Sequence, residues 1–317
     1  MQQAATASPA AAKRVLIGGG SGFIGQALSK HLLNTGCEVT LISRNPARVG
    51  GAGLPAISWA NLADPSFTLA SYDAVVNLAG VSLNRPAWIE TYKDQIVSSR
   101  VDTTRAIVKA IENTAQNNNK PPKVFVVGSA VGYYPSGTPG PEVDEYYSEP
   151  PPSTFFGDLV RQLEDEAKTL VQNQQNTRLA FVRTGVVLGK NGGAFPSLKR
   201  STGFYIGSGE QWFPWIHIND IVGIFSHAIH NEQCSGPLNG AAPGIVTAKE
   251  FAETMAEQRV GIRKALPLPS FVMKVALGPL RSTLVTEGQK VIPKKTLETG
   301  YQFQFPELGP ALQDLLR

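Results

Sequence analysis

The stretch LIGGGSGFIG, residues 16–25, sets Gly19, Gly22 and Gly25 at a G-x-x-G-x-x-G spacing. Glycines so spaced suit a dinucleotide. The first allows a tight turn, the second lets a pyrophosphate approach bare backbone, and the third lets the following helix pack close to the strand. Ser21, Phe23 and Ile24 fill the places between them, where a helix N-terminus would offer N–H groups and partial positive charge to phosphates. A glycine pattern alone is weak. This one follows the apolar run RVLIGG (14–19) and precedes helical spacing from Phe23 to Leu33, which is the context a dinucleotide cradle requires.

The next apolar run, EVTLIS (38–43), continues into SRNPAR with no acid at its end. An Asp or Glu there would accept hydrogen bonds from the ribose hydroxyls of NAD. Ser43 and Arg44 take that place, and a guanidinium can pair with a 2′-phosphate and stack on adenine. The pattern points to NADP(H); the alternative is that Arg44 is a solvated loop residue.

A second group is Ser129 in GSA (128–130), with Tyr133 and Tyr134 just beyond it in SAVGYYPSG. A serine hydroxyl can polarise a carbonyl oxygen. A phenol can give or take the proton if a neighbour lowers it from its ordinary value of about 10, but no lysine is close by in the sequence. A third group, GEQWFPWIHIND (209–220), crowds Trp212, Phe213, Trp215 and His217 together. These rings either stack on a flat ligand or join two lobes. Asp220 is expected to cap a helix that begins near Ile221.

Strands are expected at 14–19, 38–43, 73–80, 123–130 and 178–185, and helices over 96–114, 154–172 and 218–231. Short apolar runs alternating with helical patterns predict a parallel sheet covered on both faces. The expected class is α/β: a Rossmann-like doubly wound parallel sheet with a smaller C-terminal lobe. A disordered tail is expected at 1–13, the nucleotide-binding domain at 14–235 and the small lobe at 236–317.

Together these motifs resemble the extended short-chain dehydrogenase/reductase superfamily: GGGSGFIG, NLAG (77–80), GSA, VRTGVVLG (182–189) and WIHINDI (215–221). More narrowly, GQKVIPKKTLETGYQFQFPELGPAL (288–312) is similar to the small C-terminal domain of epimerase-family proteins of the atypical 39U group. The resemblance implies further cofactor contacts. Leu78 and Ala79 would pass the adenosine ribose and pyrophosphate, Gln95 and Arg100 would reach the cofactor from the long helix, and Val187 would meet the nicotinamide side. Simple packing is the competing account of Leu78, Ala79 and Val187; Arg100, a charge at the inner end of a helix, needs a polar or anionic partner. Arg183, in VRTG, is expected to orient a lobe or meet a substrate phosphate.

The superfamily pairs its serine with a catalytic tyrosine, and with a lysine four residues later that lowers the phenol pKa. The matching stretch here is FGDLVRQLE (156–164). Gly157 and Glu164 keep the register, but Phe156 replaces the tyrosine and Val160 the lysine. Phenylalanine carries no transferable proton and valine no charge. Loss of one positioned acid–base group costs on the order of 10²–10⁴ in rate.

Composition narrows the remaining classes. Of the 317 residues, 42% are hydrophobic and 17% charged, enough for a sizeable core. A net charge of +4 with no Lys/Arg run gives no nucleic-acid footprint, and no apolar run is long enough to predict a membrane span. Cys37 and Cys234 stand outside any CxxC pair, and His227 and His230 read as a surface pair without a third ligand, so no metal or disulfide is expected. An intracellular setting, mitochondrial or cytoplasmic, fits this cysteine usage. Two functional expectations follow. One is an NADP(H)-dependent oxidoreductase or epimerase-like protein acting on an unknown small molecule, with Ser129 and Tyr133 or Tyr134 in its chemistry. The other is a non-catalytic NADP(H)-binding module that senses redox state or serves a protein partner.

Overall fold

The computed structural model describes residues 12–50, 53–83, 85, 88–137, 140–173 and 176–317, so most of the tail expected at 1–13 lies outside the described residues. In chain order, β1 (Arg14–Gly18), α1 (Phe23–Asn34), β2 (Glu38–Ser43), α2 (Pro46–Gly50), β3 (Ala56–Ser58), α3 (Trp59–Ala63) and β4 (Ala74–Asn77) form the first half of the large domain. The long α4 (Glu90–Gln116), β5 (Val124–Ala130), β6 (Glu142–Val143), α5 (Phe155–Asn173) and β7 (Arg178–Thr184) follow. Next come β8 (Val186–Gly189), β9 (Gly192–Gly193), α6 (Phe195–Arg200), β10 (Phe204–Ile206), β11 (Trp215–His217), α7 (Ile218–His230) and β12 (Gly236–Gly240). The chain closes with α8 (Ala248–Val260), β13 (Leu266–Leu268), α9 (Ser270–Leu277), α10 (Pro279–Thr286), β14 (Lys290–Val291), α11 (Lys294–Glu298) and α12 (Leu308–Leu316).

Seven strands form one parallel sheet in the order β12-β7-β5-β4-β1-β2-β3. Its two faces follow from the period of two along each strand. Val15 and Ile17 of β1 and Val124 and Val126 of β5 pack with Leu28 of α1 and Phe225 of α7. Their neighbours Leu16, Phe125 and Val127 pack on the other side with Ile107 and Ile111 of α4 and Leu163 of α5. Burial on both faces is why these strands read as continuous apolar runs. Strand order reverses between β1 and β4, which leaves a crevice beyond their C-terminal ends.

Two bounds differ from the sequence reading. α4 starts at Glu90 rather than 96, because buried Tyr92 extends the apolar row one turn back from Ile96. β12 pairs with β7, so Gly236–Gly240 complete the large sheet and the expected boundary at 235/236 falls just before its last strand. The small lobe has its own core, in which Phe195, Trp215, Phe251, Met255 and Leu312 meet.

Candidate functional site

The cradle is shaped by what its glycines exclude. Gly19 has φ 77°, and a Cβ there would lie 2.4 Å from the Leu78 carbonyl; a Cβ on Gly25 would lie 2.3 Å from the Gly19 oxygen. Both positions therefore require glycine for the turn itself. At Gly22 a Cβ would meet only the Gly19 oxygen, at 3.2 Å, so this glycine leaves room beside the backbone. Gly22 is the N-cap of α1, and no side chain caps that end. Ile24 faces the cavity described below. The Phe23 ring lies against the glycines of β8 and β9, where a Cβ on Gly189 or Gly192 would come within 2.3 Å of it. Ser21 is exposed, and its carbonyl accepts from Gln26 Nε2 at 2.7 Å.

The floor is the end of β4. Leu78 N donates to Gly18 O at 2.8 Å. Asn77 is buried; its Nδ2 donates to Thr104 Oγ1 at 2.9 Å while its Oδ1 accepts from Ala79 N at 3.0 Å. Asn77 thus fixes the bend of NLAG. The sequence reading passed over it, although a polar residue closing an apolar strand was the available signal. At the end of β2, Ser43 Oγ accepts from Asn45 N at 3.1 Å. Arg44 is exposed there, with no partner among the described residues.

Arg100 lines the cavity. Its guanidinium donates to Ile96 O at 2.9 Å and Val81 O at 3.2 Å, and it lies where a Cβ on Gly80 would be 2.7 Å from Cζ. Burial lowers its pKa, and its partners here are carbonyls, not a carboxylate. Gln95 does not join it. Five residues along a helix is a rotation of about 140°, and Gln95 is exposed and away from the cavity wall.

At the end of β5 the polar side chains bind one another. Ser129 Oγ donates to Glu164 Oε1 at 2.8 Å. Arg183 Nε and Nη2 grip the two oxygens of Glu164, each at 2.9 Å, and Arg183 Nη1 donates to Tyr134 OH at 3.1 Å. Tyr134 OH in turn donates to Asn239 Oδ1 at 2.8 Å. All five residues are buried, Glu164 at 1% exposure and Arg183 at 4%. Burial alone would lower the Arg183 pKa, but the Glu164 carboxylate overrides it and keeps the guanidinium charged.

This hydrogen-bonded chain places four of the residues singled out in the sequence. The single proton of Ser129 is committed to Glu164, so the serine turns acceptor lone pairs, not a donor, to any ligand. Burial pushes the Tyr134 phenol up to about 12, away from the range useful to a general acid at neutral pH. Tyr133 lies outside the cavity wall with the Arg183 guanidinium 3.3 Å above its ring centre, carried aside by the 3-10 turn over Val131–Tyr133. Arg183 itself is a buried partner of Glu164 rather than an open phosphate site.

Phe156 and Val160 both line the cavity, one turn apart on α5. Both present hydrocarbon to it, and Glu164 continues the same helical row. A Cβ on Gly157 would lie 2.0 Å from Pro152 O, so glycine is required there.

The cavity, of about 880 Å³, runs between the large sheet and the small lobe. Ile24, Leu78, Ala79 and Arg100 line one end; Ser129 and Val187 follow; Trp212, Phe213, α9 and α10 complete the other end. The aromatic cluster therefore divides. Trp212 and Phe213 reach the cavity, whereas Trp215 donates from Nε1 to Gly244 O at 2.9 Å inside the lobe. His217 Nδ1 caps α7 by accepting from Asn219 N at 3.1 Å. Asp220 is not the cap; its carboxylate accepts from Gln304 N at 2.6 Å and Phe305 N at 2.9 Å and so ties the C-terminal segment to α7. His227 contacts Thr299 at 3.1 Å rather than pairing with His230 as metal ligands. Among the described residues no group of three His, Cys, Asp or Glu is placed to hold a metal, and no helix is long and apolar enough to cross a membrane.

The sequence model of the NAD dependent epimerase/dehydratase family matches residues 15–239. The chain belongs to that family. A second model, for the domain of unknown function DUF1731, matches residues 268–315. Among curated epimerase-family relatives, the chain is 43% identical over 312 residues to epimerase family protein SDR39U1 of Homo sapiens, covering 96% of this chain and 99% of that one. It is 36% identical over 314 residues to epimerase family protein SSP1921 of Staphylococcus saprophyticus, with coverage of 96% and 99%. The crystal structure of human SDR39U1 (isoform 2) with NADPH is similar to it at a TM-score of 0.85 and 42% identity, covering 95% of this chain and 98% of that one. The nucleoside-diphosphate sugar epimerase from Corynebacterium glutamicum gives a TM-score of 0.72 at 25% identity, covering 96% of this chain and 58% of that one. The epimerase/dehydratase span ends inside β12, and the second span covers α9 to α12.

Proposed function

We propose that this epimerase-family chain binds NADP(H) in the cradle, holds a small-molecule substrate in the adjoining cavity, and acts as an oxidoreductase-like protein without the tyrosine–lysine pair. One observation carries the reading: a single cavity joins Ile24, Leu78, Ala79 and Arg100 to Ser129 and Val187. The residues present fit the cofactor. The uncapped start of α1 beside Gly22 suits a pyrophosphate, and the exposed, acid-free end of β2 at Ser43 and Arg44 suits a 2′-phosphate. Leu78 and Ala79 would form the floor and Val187 the nicotinamide side, while Arg100 is a half-buried cation awaiting an anionic neighbour. NADPH in the solved SDR39U1 structure supports the same choice. The nicotinamide supplies or accepts a hydride at C4. Ser129 would accept a hydrogen bond from a substrate hydroxyl, held in that role by Glu164, and Phe156 and Val160 would keep water out.

A second reading is favoured by the closed chain of Ser129, Glu164, Arg183 and Tyr134: a non-catalytic NADP(H)-binding module serving redox sensing or a protein partner. NADPH fluorescence titration followed by a panel of carbonyls and alcohols separates the two. Turnover that disappears in Ser129→Ala supports the first. Tight binding with no turnover, unchanged by Ser129→Ala, supports the second. No affinity for NADPH or NADH defeats both.

A further inference from the structure

We propose that the substrate carries an extended apolar portion, an acyl or isoprenoid-like chain, with its oxygen function at the Ser129 end; the proposal rests on the cavity being the substrate site. The two walls of the cavity differ in kind. The inner wall is strand ends and small residues, Gly128 to Gly132 and Thr184 to Val187. The outer wall is mainly apolar and takes hydrocarbon from five separate elements, Leu198 of α6, Ile206 of β10, Met255 of α8, Met273 of α9, and Leu280 and Leu284 of α10, with Ser197, Tyr205 and Thr283 between them.

This roof is held in place. Gln211 is buried, and its Nε2 donates to Ile206 O at 3.1 Å and Val285 O at 3.2 Å, which joins β10 to α10. Met273 and Leu277, four residues apart on α9, both reach the cavity, so one face of that helix serves as lining. Phe156, Leu159 and Val160 of α5 add hydrocarbon from the side.

A nucleoside-diphosphate sugar suits such a chamber poorly. Its diphosphate needs cations or N–H donors, and its sugar hydroxyls need partners, because polar groups buried without them are costly. The cations on the wall are Arg100, at the cofactor end, and Arg281. The same wall carries the Glu287 carboxylate, which accepts from Ser136 Oγ at 2.9 Å and opposes an anion. The lining also carries hydroxyls outside the inner wall, of which Ser201, Thr202 and Thr283 donate to nearby main-chain carbonyls; Ser129 and Thr184 on the inner wall suit one oxygen function at the head of a chain. An apolar chamber with a few convergent polar groups orients such a ligand.

The test is calorimetry of the full chain, with and without NADPH, against 2-alkanols from 2-hexanol to 2-undecanol, whose hydroxyl can donate to the Ser129 oxygen, and against UDP-glucose, which occupies a solved structure of the same fold. Affinity is expected to rise about fourfold per added methylene until the chain fills the cavity, with no heat from UDP-glucose. Leu280→Asn should flatten the rise and leave NADPH affinity unchanged; Met273→Gln repeats the test if the first variant does not fold. A flat series, or UDP-glucose binding more tightly than the longest alcohol, overturns the proposal. Failure of NADPH to bind strikes the cofactor reading alone, and the alcohol series without NADPH still decides this one.

Discussion

At the β1–α1 cradle no side chain caps the helix, Gly22 leaves space beside the backbone, and Arg44 stands exposed with no partner among the described residues. Around Ser129, some way along the same cavity, each buried polar group already has a partner: serine to Glu164, Glu164 to Arg183, Arg183 to Tyr134, Tyr134 to Asn239. Both regions belong to one sheet and one cavity. Donors without protein partners can be offered to a ligand at little cost. Buried groups that satisfy one another can donate to a ligand only by leaving those partners, which exposes the rest to the penalty of an unpaired buried charge; without that cost they offer acceptor lone pairs alone. The cradle end leaves donors without protein partners, while the wall around Ser129 is closed on itself.

The largest expected effect falls on the closed wall. Glu164→Gln leaves the Arg183 guanidinium buried without a counter-charge and should destabilise the protein by about 3–5 kcal/mol in urea unfolding. A loss below about 1 kcal/mol would mean that the wall is not self-supporting. At the open end, a side chain at Gly22 meets only the Gly19 oxygen at 3.2 Å, so Gly22→Asp should fold while its carboxylate repels phosphate. NADPH affinity should drop on the order of 100-fold; an unchanged titration removes the cradle from the argument. Arg44→Ala should weaken NADPH about tenfold and NADH by no more than about twofold, and equal losses would falsify the 2′-phosphate assignment.

The smallest expected effect serves as a control lying at neither end. Burial holds His217 and His227 of the β11–α7 segment below the ordinary imidazole range. The unfolded chain therefore takes up protons first as pH falls below about 6.5. Stability present above that pH is lost as pH drops through the depressed folded values. His227→Gln should reduce the fall in melting temperature between neutral pH and about 5.5 by on the order of 1 °C, discounted for partial exposure. NADPH affinity should not follow it. A shift in cofactor affinity of equal size would tie α7 to one of the two ends.

Much of the open end was legible from sequence. RVLIG, the three glycines and the acid-free end of EVTLIS sit within thirty or so residues and act through local geometry, and the structure places them as that geometry requires. Gln95 shows the limit of family likeness: it shares α4 with Arg100, but the helical period turns it outward. Asp220 is not the cap expected of it, and the aromatic cluster divides between its two readings, for another reason. Adjacent residues in an irregular segment can belong to different neighbourhoods, and here Trp212 faces the cavity while Trp215 fills the lobe core.

What the sequence determined by itself was the set of short-range relations: alternation along strands, the spacing of glycines at a helix start, and hydrocarbon at Phe156 and Val160, one turn apart on α5. These hold because strand and helix periods are fixed by backbone sterics whatever the surroundings. Tertiary structure alone decided which polar groups meet. Glu164 reaches Ser129 across 35 residues and Arg183 across 19, and Asp220 grips Gln304 across 84. Such pairings arise only when packed elements bring distant side chains into a low-dielectric interior, where each must find a partner.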